Sequence, residues 1–287
     1  MKNKKNEEEK KKNILLIYLK GFLMGLFDLV PGISGGTIAL ITGIYEDLIT
    51  QINEAFTFIK ETLMFNFKKA QKKWYELNKT FLIILVIGII TGIITSVIFL
   101  SYLLLNFFSQ TMGAITGIIL IASIIMIKKN VKSTKSSLIG AVGTIIGIVL
   151  SIITPTTGHT FNYIQVLLLG SITIIAMILP GISGALILLL LGGYEYMIVS
   201  LRNFTSEYLT IIFFIIGGLI GLSIFSKIIK YLLKKHHDET MSFLSCLMLG
   251  AITKPILEII NYGNIDSGFI FFGLSAILSV YFYRKRK

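Results

Sequence analysis

The pentapeptide Pro-Gly-Ile-Ser-Gly occurs at Pro31–Gly35 and again at Pro180–Gly184, each time inside a run of apolar residues. Proline lacks an N–H and pushes the residue before it out of helical geometry, so Val30 and Leu179 are expected to end helices. Glycine permits a sharp turn. Ser34 and Ser183 then suit the N-cap of a second helix. Each copy therefore predicts a helical hairpin. The surrounding chain is 54% hydrophobic and 15% charged. Several runs approach 18 residues with few charges, about the length needed to cross a bilayer. The expected fold is an all-α polytopic membrane protein.

Apolar segments cover 14–30, 38–49, 81–105, 111–127, 138–153, 163–179, 186–201, 208–233, 241–260 and 268–283. The net charge of +12 is concentrated in the 1–13 tail, in 68–79, in Lys128–Lys135, in Lys234–His237 and at Arg284–Lys287. Basic loops belong in the cytoplasm, which puts both termini there. Nucleic-acid binding would need a basic face on a folded soluble module, and none is present. The apolar stretch after the tail carries Lys20 and Asp28 and no clear cleavage site, so it is not read as a signal peptide. The single cysteine, Cys246, excludes an intrachain disulfide. His159, His236 and His237 form no cluster with metal-ligand spacing, and no metal or other cofactor is expected.

Shifting the sequence by 149 positions lays Val30–Glu46 on Leu179–Glu195, with identity at ten of 17 positions. A shift of 129 then matches Gly88, Gly92, Tyr102 and Leu103 with Gly217, Gly221, Tyr231 and Leu232. The tetrapeptide at Gly113–Thr116 recurs at Gly250–Thr253. The membrane domain, 14–287, thus divides into repeats at about 14–153 and 163–284. Loop charges make the first copy begin inside and the second outside. The halves are then inverted repeats, each a hairpin followed by three spans, an arrangement of transporters whose interrupted helices mark the binding site. Glycine pairs four apart, at Gly88/Gly92, Gly113/Gly117, Gly143/Gly147 and Gly217/Gly221, suit close helix packing.

The limb 14–30 would be about 25 Å long as a helix, short of a hydrocarbon core of about 30 Å. Bare backbone groups at a tip cannot face lipid and must line a protein cavity. We therefore read the hairpins as re-entrant, with two full spans as the alternative of the same parity. Inward-pointing helix N-termini offer unpaired N–H groups and the positive end of a dipole, which suit an anion such as phosphate. The candidate binding residues are Pro31, Gly32, Ser34, Gly35, Gly36 and Thr37, with Pro180, Gly181, Ser183 and Gly184. Lys254 joins them as an intramembrane cation, four residues from Glu258. Asp28 beside the first tip, the repeat-matched Glu46 and Glu195, and Glu258 are candidates for coupling or polar support. A proton or sodium ion is the candidate coupling ion, with Asp28 or Glu46 taking up a proton.

At 25–46 and 179–195 the chain resembles the DUF368 family of bacterial membrane proteins. That resemblance implies translocation of undecaprenyl phosphate across the bacterial cytoplasmic membrane, from outer to inner leaflet, recycling the carrier for envelope polymers. Ala185 and Leu186 stand where the first copy has Gly36 and Thr37, so the tips need not act alike. The partners it implies are this lipid and the surrounding membrane lipids; no feature assigns an oligomeric state. Undecaprenyl-pyrophosphate phosphatases also use inverted hairpins with a Pro-Gly-x-Ser turn. They follow the serine with arginine, whereas Gly35 and Gly184 follow it here, leaving no cation for a phosphoryl transition state. A carrier of another anionic lipid or of a small anion is the other alternative.

Overall fold

The computed structural model describes residues 2–28, 30, 33–154 and 160–285, with the side chains of 13–283 among them. Pro31, Gly32 and His159 lie outside the described residues. Within them are fifteen α-helices, one π-helical turn and no strand. The first half holds α1 (Lys2–Phe27), α2 (Gly35–Ile41), α3 (Tyr45–Leu63), α4 (Phe67–Glu76) and α5 (Lys79–Thr95). It continues through the π-turn Ser96–Leu100 into α6 (Ser101–Asn106), α7 (Phe108–Asn130) and α8 (Thr134–Ile152). The second half holds α9 (Tyr163–Ile178), α10 (Gly184–Leu190), α11 (Tyr194–Arg202), α12 (Tyr208–Lys235), α13 (His237–Ala251), α14 (Thr253–Tyr262) and α15 (Ile265–Lys285).

Six stretches are long and apolar enough to cross a membrane: Lys79–Asn106, Phe108–Asn130, Thr134–Ile152, Tyr208–Lys235, His237–Tyr262 and Ile265–Tyr283. The pair α10–α11, bent by 106°, makes a seventh if taken as one span. Ile83, Val86, Ile90 and Ile94 lie exposed along α5, as a lipid-facing surface requires. The protein is a multi-pass helical membrane protein. At its centre is α13, whose Leu244, Leu247 and Met248 are wholly buried.

The glycine pairs set the packing. Added β-carbons on Gly21 and Gly25 of α1 would run into the backbone at Leu85 and Ile89 of α5. Those on Gly217 and Gly221 of α12 would strike Leu167 and Ser171 of α9. Gly113 and Gly117 of α7 meet Gly268 and Phe272 of α15 in the same way. Gly143 and Gly147 of α8 meet Phe243 and Leu247 of α13. Each contact advances four residues on both helices, so all four pairs run parallel. Small residues at this spacing let backbones touch where lipid offers no hydrophobic drive. Because α1 is parallel to α5 and α9 to α12, the chain between each pair returns to the side it left. Near the end of α12, Ile229 and Leu233 share a core with Phe81 and Leu85 near the start of α5.

The repeated motif also explains the second break in each hairpin. Gly43 and Gly192 adopt φ of +74° and +72°. Ile44 N–H donates to the Ala39 carbonyl and Gly193 N–H to the Leu188 carbonyl, a left-handed helix stop. Both α2 and α10 are consequently only seven residues, about 10 Å.

Three apolar segments and one basic loop are corrected by the structure. The 186–201 segment breaks at 191–193 between α10 and α11. The 38–49 segment stops at Ile41, and α3 restarts after the glycine stop. The 241–260 segment breaks at Ile252 between α13 and α14. The basic stretch from Lys68 is mostly a helix, α4, rather than a loop. It folds back on α3, where Lys73 bonds Glu54 at 2.8 Å and Glu76 at 2.7 Å. Lys230 of α12 also ion-pairs Glu54. Burial alone would raise the Glu54 pKa, but bonds from Lys230 and Lys73 hold the carboxyl below its ordinary value. This clasp fixes α3 against the end of α12.

Candidate functional site

The two hairpin tips touch. The Ser34 hydroxyl donates to the Leu179 carbonyl at 3.1 Å, and Gly181 N–H donates to Thr37 Oγ1 at 2.7 Å. Ser34 also accepts from Thr37 N–H at 3.2 Å, capping α2. Leu179 precedes proline and is extended, with φ −66° and ψ 124°, which ends α9 and exposes the carbonyl that Ser34 uses. Gly36 lies against the end of α9, where an added β-carbon would run into the Ile178 carbonyl. Gly181 has φ +88° and packs on α13, 2.8 Å from an added β-carbon to the Met248 Cα. Ser34 and Thr37 are each 1% exposed, so this junction lies inside the bundle.

The tips are not equivalent. At the first, Gly35 N–H donates to Asp28 Oδ1 at 2.8 Å. Two of the N–H groups expected to be bare are therefore already taken, that of Gly35 by Asp28 and that of Thr37 by Ser34. A carboxylate stands where a bound anion would stand. At the second, Ser183 occupies the N-cap position but caps nothing, so the expected side-chain bond is missing. Beside it, Thr173 lies against Gly184, and its hydroxyl is buried without a hydrogen-bond partner. Ala185, in the place of Gly36, is exposed rather than packed on the opposite hairpin. Sequence reasoning missed Thr173, because its repeat counterpart is Met24 and nothing in its neighbourhood marks it. Pro180 is buried in the second turn.

The remaining candidates lie apart from the junction. Lys254 and Glu258 form the expected pair at 3.7 Å. A gap of about 10 Å³ separates the tips from α14, and Pro255, not Lys254, lines it with Thr37 and Gly181. Glu195 is exposed at the start of α11. Glu46, at the start of α3, accepts from His237 Nε2 at 2.9 Å. It also lines a cavity of about 730 Å³ between the α2–α3 break and the end of α7. Lys128, Lys129, Asn130 and Tyr45 line the same cavity. Tyr45 is 1% exposed and its hydroxyl has no partner. The two lysines had counted only as topology signals in the sequence. Among the described residues no group of side chains is arranged to hold a metal ion.

A family model described as VCA0040-like, undecaprenyl phosphate translocase-like, matches residues 24–264. A polyprenyl-phosphate transporter of Vibrio cholerae serotype O1 is 38% identical over 262 residues, covering 89% of this chain and 82% of that protein. A polyprenyl-phosphate transporter of Staphylococcus aureus is 32% identical over 252 residues, covering 82% of this chain and 83% of that protein. No solved structure gives a significant match. These are names of transporters, and the phosphatase alternative falls with them. The chain belongs to the undecaprenyl phosphate translocase-like family.

Proposed function

We propose that this protein carries undecaprenyl phosphate across the bacterial plasma membrane, both termini cytoplasmic, and returns the carrier from the outer to the inner leaflet for envelope synthesis. The observation that carries the reading is the hydrogen-bonded junction of the two hairpin tips inside an apolar bundle. The lipid's chain can remain in the bilayer throughout, so only its phosphate needs a polar path. A bare charge in hydrocarbon costs about 3 kcal/mol or more, and a polar junction lowers that barrier.

Inverted halves with re-entrant hairpins account for the packing. Exchanging the halves turns the α1–α5 pair into α9–α12, and the α7–α15 pair into α13–α8. The short α2 and α10, each stopped by glycine, suit hairpins that turn back within the bilayer. Rocking of one half on the other would break the Ser34–Leu179 and Thr37–Gly181 bonds and open the junction to one face at a time. The uncapped start of α10, with Ser183 and the unpaired Thr173 hydroxyl, is the better-equipped receptor for the phosphate. Asp28 acts as a tethered anion on the first tip. Its release or protonation frees Gly35 N–H for the headgroup, which links transport to a proton. The cavity lined by Lys128 and Lys129 is a vestibule on the cytoplasmic side.

Reconstitution into vesicles tests this. Purified protein should speed redistribution of undecaprenyl phosphate between leaflets, unaffected by excess inorganic phosphate. The rate should vary with pH in the wild type and less so in Asp28→Asn. Transport of inorganic phosphate without lipid movement would favour the small-anion alternative, and release of phosphate from the pyrophosphate lipid would restore the enzyme.

A further inference from the structure

Two grooves flank the bundle, of about 550 Å³ and 540 Å³. Phe99, Leu100, Leu103, Phe107, Gln110 and Thr111 line the first. Adding 129 to each number gives Ile228, Ile229, Leu232, His236, Glu239 and Thr240, and all six line the second. Ala114 and Ile115 continue the match onto Phe243 and Leu244. The grooves are one feature made twice. The shift of 129 therefore runs on from α12 into α13, whose start lies 129 residues after that of α7. The recurrence at Gly113 and Gly250, a shift of 137, is out of this register.

The grooves open at opposite ends of the bundle. The Ser242 hydroxyl donates to the Ser136 carbonyl at 2.7 Å, which puts the start of α13 beside the start of α8 and so beside the end of α7. His236 thus lies at the Asn130 end of α7. Phe107 lies at the other end, 23 residues or about 34 Å away. Each mouth is polar: Gln110 and Thr111 in one, and Glu239, Thr240 and Lys135 in the other. Each interior is apolar and runs to a hairpin tip. The first reaches Phe27, one residue before Asp28; the second reaches Leu179, whose carbonyl bonds Ser34.

We infer that these grooves seat the isoprenoid chain of the transported lipid, one groove serving each leaflet while the headgroup occupies the tips. The inference rests on the proposed function and adds the tail subsite to it. One groove per membrane face suits a single-chain lipid. A two-chain phospholipid would leave its second chain unhoused. Continuity of each groove with a tip separates it from ordinary lipid-facing surface.

The test uses Phe99→Cys and Ile228→Cys, each made with Cys246→Ala and labelled after folding with a bulky maleimide. Both native side chains are exposed, so the label enters a groove wall without passing through the core. Affinity for undecaprenyl phosphate and for geranyl phosphate is measured on the full chain in nanodiscs. Labelling at either site should weaken undecaprenyl phosphate by about tenfold or more and leave geranyl phosphate unchanged. Each unlabelled cysteine variant is the reference for its own labelled form. Unchanged undecaprenyl phosphate affinity after labelling would overturn the tail subsites and leave the tip site standing. So would equal displacement by phosphatidylglycerol, or a labelling effect explained by a change in oligomeric state. Failure of both lipids to bind unlabelled protein would overturn the functional reading, and the tail subsites with it.

Discussion

Gly36→Ala is expected to reduce lipid transport by about tenfold or more, with the protein still inserted and folded. The added β-carbon would run into the Ile178 carbonyl at the end of α9, and the Met177 carbonyl is 3.3 Å away. Both obstacles are backbone and cannot rotate aside. Overpacking of this kind costs about 1–3 kcal/mol, and each 1.4 kcal/mol is a tenfold change in an equilibrium. The cost falls on the closed junction, because only there do α2 and α9 meet. The natural residue at the matching place in the second half supplies the control. Ala185 is exposed, so Ala185→Gly should leave transport nearly unchanged. Rates measured in the same vesicles compare the two. Equal effects at Gly36 and Ala185 would mean that the first tip is not the closing contact.

Gly181→Ala should lower thermal stability more than any other single methyl added at the tips. A φ of +88° belongs to glycine, and an alanine there costs about 1–2 kcal/mol from backbone sterics. The new methyl would also lie 2.8 Å from the Met248 Cα and 2.9 Å from the Ala251 Cβ. That adds about 1–3 kcal/mol. The midpoint of thermal unfolding in detergent should fall by about 5–15 °C. Thr37→Val is a milder comparison. It removes the acceptor for Gly181 N–H without strain and costs about 1–3 kcal/mol for the buried donor left unpaired.

Local chemistry explains which parts were readable in the sequence. Proline and glycine act on their immediate neighbours, so the ends of α1 and α9 and the hairpins that follow were visible in two short strings. Glycines four apart mark close helix contacts without naming the partner; the structure adds that all four contacts are parallel. What escaped was non-local or broke the repeat. The bond from Gly35 to Asp28 spans seven residues and turns an open anion site into an occupied one. Ser183 matches Ser34 in sequence but not in its bonds: Ser34 caps its helix and pairs with the Thr37 hydroxyl, whereas Ser183 caps nothing and Leu186 offers no hydroxyl. The Glu54–Lys230 pair is 176 residues apart and cannot be read from spacing. The Gly-Ala-Ile-Thr recurrence, at a shift of 137, lies outside the 129 register that the two grooves share.

The central claim is that the phosphate headgroup is held where the two tips meet. Its most direct test is the affinity of purified protein for undecaprenyl phosphate, compared between wild type and the double variant Ser34→Ala with Ser183→Ala. Ser34 both caps α2 and reaches across to Leu179, and Ser183 is the free hydroxyl at the head of α10. Loss of both should weaken binding by about tenfold or more, as expected when hydrogen bonds to a charged group, each contributing about 1.5–3 kcal/mol, are removed. Wild-type affinity in a folded double variant would contradict it.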